Sequence, residues 1–237
     1  MSNVDIDQLA SEYASKSPQQ ILELAISQFD NLWLSFSGAD DIVALDMAWK
    51  INPEIKVFTL DTGRLHAETY RFLEQVRKHY GIQLEVLSPD HQQLEAYVRE
   101  NGLFDFYENG HGGCCGVRKI APLRRKLGTV DAWITGRKRF QNSLRAELEE
   151  IEQDDDGKMK VNPLARWTAT DIAAYLDRHA LPRHPLVAQG YPSIGCEPCT
   201  SRVADGEDPR AGRWRGSDKT ECGIHYVEGQ FIGGGGI

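Results

Sequence analysis

Leu32-Trp33-Leu34-Ser35-Phe36-Ser37-Gly38-Ala39-Asp40-Asp41 decides the fold: an apolar strand, a turn of small residues, and then the start of a helix. The strand reads from Leu32 to Phe36 and the helix from Asp41 to Trp49. A glycine in such a turn permits close backbone approach, and the helix N-terminus beyond it offers free N–H groups to an anion. Taken alone, Ser35, Phe36, Ser37, Gly38 and Ala39 read equally as a phosphate cradle or as a plain strand-to-helix turn.

The same alternation repeats along the chain. Lys56 to Leu60 and Gln83 to Leu87 are strands, followed by helices over about His66 to Tyr80 and His91 to Asn101. A loop rich in glycine and aromatics, Gly102 to Gly113, leads into a helix that begins at Cys114-Cys115, and Ala132 to Thr135 is a fourth strand. Two helices precede all of this, the second opening with Ser17 as cap and Pro18 at its first position. Asp154 to Gly157 is a turn between two short strands, and Thr168 caps a helix running to about His179. The alternation predicts an α/β protein with an open, doubly wound, mostly parallel sheet and its ligand at the carboxyl ends of the strands. Residues 1–200 form the expected α/β domain; residues 201–237 form an expected mobile, loop-rich C-terminal segment, in which Gly233 to Gly236 are expected to be disordered.

Three of the strand ends carry chemistry. Besides Ser35 to Ala39, the second ends in Leu60-Asp61-Thr62-Gly63-Arg64, and the fourth in Thr135-Gly136-Arg137-Lys138-Arg139-Phe140-Gln141-Asn142-Ser143-Leu144-Arg145. Glycines with polar and cationic residues at three neighbouring ends favour an anionic nucleotide over solvated turns. The formal net charge of −8 argues against a general nucleic-acid binder, while the basic spots at 124–126, 137–139 and 210–215 suit a small anion. No apolar run reaches the ~20 residues of a membrane span, and the acidic N-terminus lacks a signal-peptide pattern. A cytoplasmic, thiol-reducing setting is expected, and the odd cysteine count agrees with it.

The five cysteines divide as four plus one: Cys114-Cys115, Cys196-Glu197-Pro198-Cys199, and Cys222 alone. Four thiolates match a cubane iron–sulfur cluster, whose separate irons adjacent residues can each reach. Zinc is the alternative, though both thiolates of an adjacent pair converge poorly on one small ion; a vicinal disulfide is a third reading, disfavoured in a reducing compartment. Cys222 sits among Lys219, Glu221, Gly223 and His225 rather than in an apolar run, which points to a nucleophile over a buried structural thiol.

These motifs together resemble the assimilatory adenylylsulfate reductases, the iron–sulfur members of the phosphoadenylylsulfate/adenylylsulfate reductase family. The resemblance runs from about Ser35 to His225 and rests on Ser35 to Ala39, Leu60 to Arg64, both cysteine pairs and Glu221-Cys222-Gly223-Ile224-His225. It implies the sheet of the adenine-nucleotide α-hydrolases and a [4Fe-4S] cluster on Cys114, Cys115, Cys196 and Cys199. It implies that Ser35 to Ala39, Leu60, Gly63 and Arg64 hold adenylylsulfate, with Arg145, Arg210 and Arg213 on phosphate and sulfate. Lys119, read as one helical turn past Cys115, would sit near the cluster and the sulfate. Cys222 would be the nucleophile, with His225 beside it. The implied activity is thioredoxin-dependent reduction to sulfite and AMP through an S-sulfocysteine, in sulfate assimilation toward cysteine. Thioredoxin would be a separate protein, and a homo-oligomer is compatible with the sequence. Lys138 and Asn142 depart from the family's usual Thr-Gly-x-Arg-Arg-x-Gln-Ser. Two other readings remain: reduction of the 3′-phosphorylated nucleotide, or an ATP-pyrophosphatase-type enzyme carrying a cluster. A non-enzymatic zinc or cluster sensor is the alternative outside enzymes.

Overall fold

The structure is a computed structural model, and it describes residues 6–154, 157–217, 219 and 221. Expectations for Cys222, His225 and the glycine-rich end therefore lie outside the described residues. The chain divides into two compact units, one of residues 1–58, 72–85 and 130–183, the other of residues 59–71, 86–129 and 184–237.

The elements follow the sequence pattern closely. Helices α1 (Ile6–Tyr13) and α2 (Pro18–Gln28) come first. Ser17 caps α2 in a reciprocal box, accepting the Gln20 N–H while Gln20 Oε1 accepts the Ser17 N–H at 2.9 Å. Strand β1 (Leu32–Ser35) and helix α3 (Asp41–Ile51) follow. Then come β2 (Lys56–Leu60), α4 (Ala67–Tyr80), β3 (Leu84–Leu87) and α5 (His91–Asn101). Two short helices, α6 (Asp105–Glu108) and α7 (Gly112–Cys115), lead through a π-helical turn, Gly116–Ile120, into α8 (Ala121–Leu127). Strands β4 (Ala132–Ile134), β5 (Ile151–Gln153) and β6 (Met159–Val161) and helix α9 (Ala169–Arg178) complete the set.

Among the described residues six strands form one sheet, in the order β3-β2-β1-β4-β6-β5. β1 pairs in parallel with β2 and β4, β4 in parallel with β6, and only β5 is antiparallel to its neighbour β6. The expected four-strand sheet is thus extended: the two short strands flanking the 154–157 turn add to it through β6. Strands β4 and β6 are buried at every residue, as central parallel strands require. The order reverses between β1 and β4, and the carboxyl ends at such a reversal are where open α/β sheets take their ligands.

The core of the first unit gathers Leu34, Phe36, Ile42, Leu45, Val57, Phe72, Ile134 and Val161. Helix α3 is buried from Asp41 through Ala48, which explains its nearly continuous apolar run. The one carboxylate in the middle of that run, Asp46, is satisfied by Tyr175 Oη at 2.7 Å, Tyr80 Oη at 3.1 Å and Lys50 Nζ at 2.7 Å. In the second unit Phe106, Ile120, Leu123, Leu127, Leu186 and Trp214 are buried. No helix among the described residues is long and apolar enough to cross a membrane.

Candidate functional site

In the first unit the loop after β1 meets the loop after β4. Phe36 N–H donates to Phe58 O at 2.8 Å, extending the β1–β2 pairing by one residue. Gly38 takes φ +105° and Ala39 φ +41°, a left-handed excursion that glycine makes cheaply and alanine does not. Asp41, at the first turn of α3, accepts the Ser37 N–H at 2.9 Å and the Ser37 hydroxyl. Burial raises the Asp41 pKa, while Lys138 and the Ser37 bonds draw it back. Gly136 lies against this carboxylate so closely that a Cβ there would stand 1.9 Å from Asp41 Oδ1.

Lys138 is fully buried; its ammonium donates to Gly136 O at 2.8 Å and lies 3.6 Å from Asp40 Oδ2. The departure from arginine therefore has a structural reading. A slender ammonium ties the two loops together from beneath, where a planar guanidinium would need more room. Arg145, on a 3₁₀ turn (Ser143–Arg145), is buried and donates to Gln141 Oε1. Arg137 pairs with Glu152 at 3.2 Å.

The second unit holds the cysteine pairs. Cys114, Cys115, Cys196 and Cys199 line one pocket together with Arg64, Arg118, Lys119 and Trp214. Helix α7 presents the adjacent pair, and Gly113 lets it approach Tyr97, whose ring carbon would lie 2.9 Å from an added Cβ. The other pair stands on a 3₁₀ turn, Glu197–Cys199, with Cys196 as its cap and Pro198 setting its start. An antiparallel bridge, Leu65 to Cys196, and the Glu197 N–H donated to Arg64 O at 2.8 Å fix that turn. Thr62 Oγ1 lies 3.2 Å from Cys196 Sγ, and Arg118 donates to Thr62 O at 2.7 Å.

The α-helical spacing assumed for Lys119 is corrected. The Ala121 N–H bonds to Gly116 O, five residues back, so a π turn separates Cys115 from α8. Lys119 still lines the pocket, and Arg118 lines it too. Gly63 has φ +67° and a hypothetical Cβ there would sit 3.4 Å from the Arg118 guanidinium. Arg64 donates to Leu103 O and stacks over Phe106 at 4.8 Å, so its fork is already engaged. Leu60 ends β2. Arg210 lies 3.4 Å from Glu221, and Arg213 donates to Ser193 Oγ and Ile194 O at 3.3 and 3.2 Å. Both guanidiniums lie over the Trp214 ring, Arg213 at 4.4 Å and Arg210 at 5.7 Å.

The thiols are poor anions by themselves. Burial, then repulsion from Cys196, pushes the Cys199 thiol up to about 12, and burial followed by Cys115 raises Cys114. Buried groups of this kind become thiolates when a metal claims them. Buried Nε atoms of Arg118 and Arg213 have no hydrogen-bond partner among the described residues, which suits a unit receiving negative charge. No three His, Cys, Asp or Glu side chains among the described residues are gathered so as to hold a metal ion. The case for a cluster rests on the common pocket and the chemistry of four sulfurs.

The structure thus sorts the expected residues into two groups. Ser35 to Ala39 and Arg145 belong to the first unit; Leu60, Gly63, Arg64, Lys119, Arg210, Arg213 and the four cysteines belong to the second. Arg118 and Trp214 were missed by sequence reasoning, and Thr62 was named only as the hydroxyl of the strand-end motif. In a regular helix Arg118 and Lys119, three and four residues past Cys115, share its face, so the spacing that named Lys119 could have named Arg118 as well.

The phosphoadenosine phosphosulfate reductase domain matches residues 31–202. The chain belongs to this reductase family. Adenosine 5′-phosphosulfate reductase of Pseudomonas aeruginosa (strain LESB58) is 51% identical over 231 residues, covering 93% of this chain and 86% of that protein. The solved phosphoadenylyl-sulfate reductase of Candida auris, in its phosphate complex, superposes with a TM-score of 0.72 at 29% identity, covering 86% of this chain and 98% of that one. FMN adenylyltransferase of Candida glabrata, solved with ATP, shares the fold alone, with a TM-score of 0.55 at 15% identity over 83% of this chain and 64% of the other. The reductase family thus shares its sheet with adenine-nucleotide transferases, as the resemblance to the α-hydrolases implied.

Proposed function

We propose that this chain reduces adenylylsulfate to sulfite and AMP, a step of sulfate assimilation toward cysteine, with a reduced thioredoxin as a separate electron donor. The observation that carries the reading is the common pocket of Cys114, Cys115, Cys196 and Cys199 in a member of this family. It leaves Cys222 as the one remaining cysteine of the sequence. The 51% identity to a protein named for the unphosphorylated substrate supports adenylylsulfate over its 3′-phosphorylated form.

The four pocket cysteines would hold a [4Fe-4S] cluster. When bound, the cluster supplies fixed charge and a rigid scaffold, since the electrons come from thiols. The loop Ser35 to Ala39, Leu60 and Gly63 hold the adenosine portion. Arg145, Arg210 and Arg213 neutralise phosphate and sulfate, and Lys119 faces the sulfate from the cysteine pocket. The Cys222 thiolate attacks the sulfate sulfur, the bond from sulfur to the bridging oxygen breaks, and AMP departs with the electron pair. An S-sulfocysteine is left, and His225, close to Cys222 in the sequence, would assist the nucleophile. A thioredoxin thiolate then attacks Cys222 Sγ and sulfite leaves with the bonding pair. The second thioredoxin thiol resolves the mixed disulfide, so sulfur gains the two electrons that the dithiol loses. A cytoplasmic location suits this thiol chemistry. The test is sulfite release from adenylylsulfate by purified protein with reduced thioredoxin; absence of sulfite with fully loaded protein refutes the reading.

A further inference from the structure

The stretch just before Cys222 is fastened to the second unit at two described points. Lys219 Nζ lies 3.6 Å from Cys115 Sγ and 5.6 Å above the Trp214 ring. Two residues on, Glu221 is 2% exposed and its carboxylate lies 3.4 Å from Arg210. Trp214 connects the two contacts: its ring faces Lys219 and Arg210, and its backbone N–H donates to Cys199 O at 3.0 Å.

The Lys219 contact is electrostatically conditional. The pocket wall already carries Arg64, Arg118 and Lys119. A further ammonium beside three cations is repelled unless the sulfurs carry charge. A neutral thiol is a weak acceptor and offers little in return. A metal-bound sulfur is a thiolate, and its bond to an ammonium is charge-assisted.

We propose that Lys219 is a positioning residue that senses the charge of the cysteine quartet. Its ammonium docks the Lys219–Glu221 stretch when Cys115 is a metal-bound thiolate, so that cluster assembly sets where the nucleophile-bearing stretch begins. This rests on the cluster reading above. It would give a cluster that need not change oxidation state a part in catalysis, through the anchoring of the chain before Cys222. Glu221 on Arg210 supplies the second anchor, which fixes direction as well as attachment.

The test is hydrogen–deuterium exchange, read by mass spectrometry on peptides spanning residues 214–224, in anaerobically purified protein without nucleotide. Wild type, Lys219→Met and Lys219→Arg are compared, with iron and acid-labile sulfide measured in each. Lys219→Met should speed exchange of the 217–221 amides roughly three- to tenfold at unchanged iron content, the loss of one charge-assisted contact. Lys219→Arg should restore slow exchange. Salt at about 0.5 M should speed exchange more in the wild type than in Lys219→Met, because it screens the contact that the variant lacks, while the buried Glu221–Arg210 pair common to both is screened less. Equal exchange in wild type and Lys219→Met at full iron content overturns the proposal alone. Iron loss in Lys219→Met with slow exchange also overturns it, since the lysine would then serve assembly instead of docking. A wild type without iron and sulfide refutes the cluster reading itself, and the docking proposal falls with it.

Discussion

Replacing Gly136 by alanine tests whether the β1 and β4 loops are built as one piece. The added Cβ would stand 1.9 Å from Asp41 Oδ1, and relief to an ordinary contact of 3.4 Å requires the carboxylate to move by about 1.5 Å. That carboxylate holds the Ser37 N–H at 2.9 Å and is packed at the first turn of α3. Moving it forfeits a charge-assisted bond, about 1.5–3 kcal/mol, and adds overpacking strain of about 1–3 kcal/mol. A loss of about 2.5–6 kcal/mol is expected, which for a chain of this size lowers Tm by roughly 5–24 °C. Thermal unfolding followed by circular dichroism measures it, and isothermal titration with AMP follows the site. Because the Ser37–Gly38–Ala39 turn hangs on the Asp41 contact, AMP affinity should fall at least about tenfold. A Tm within 2 °C of wild type, together with unchanged AMP affinity, would show that the loops adjust freely and that the argument from close packing is wrong.

Three further outcomes are expected. Cys222→Ser should keep the iron–sulfur chromophore and nucleotide binding while losing turnover; iron loss would make Cys222 a ligand. Cys199→Ser should lose iron and sulfide, since its sulfur is one of four in the pocket; full retention of iron would remove it from the ligand set. Acid should destabilise the protein partly through His184. Burial, then His66, pushes this histidine down to about 4, while its ring meets Thr69 Oγ1 at 3.0 Å and accepts the Leu186 N–H at 3.3 Å. Its unfolded pKa is about 6.5. The unfolded state therefore takes up a proton first, and the stability held above pH 6.5 is lost as pH falls toward 4. His184→Gln should flatten the decline of Tm between pH 7 and 4.5, and parallel declines in variant and wild type would refute the assignment.

The strands and helices were legible because their signals are local. Expected strands end within a residue of β1 to β4, α5 was read as it stands, and Ser17 and Thr168 cap their helices through side-chain bonds. The place of β6 beside β4 was not legible, since pairing across the chain leaves no local mark. The π turn escaped notice for a related reason: Gly116 to Ile120 has no composition that distinguishes it from α-helix, yet it brings both Arg118 and Lys119 to the pocket wall. Lys138 read as a ligand-side cation because charge at a strand end usually faces solvent or anion; its burial depends on Gly136 O and Asp40, which only the folded loops bring near. The cysteine quartet was legible from spacing and count. The partners that surround it, Trp214 and Thr62, were not, because tryptophan and threonine carry no sequence signal for sulfur contacts.

The central claim is that a single thiol takes up the sulfate sulfur before any protein reductant arrives. Protein carrying its full iron content, incubated anaerobically with adenylylsulfate and no thioredoxin, is to be analysed by intact mass and peptide mapping while AMP is quantified. The account predicts one AMP released per chain and one sulfonate on Cys222, stable until reduced thioredoxin is added and sulfite appears. A sulfonate on Cys114, Cys115, Cys196 or Cys199, or AMP release that needs thioredoxin from the first turnover, would contradict it.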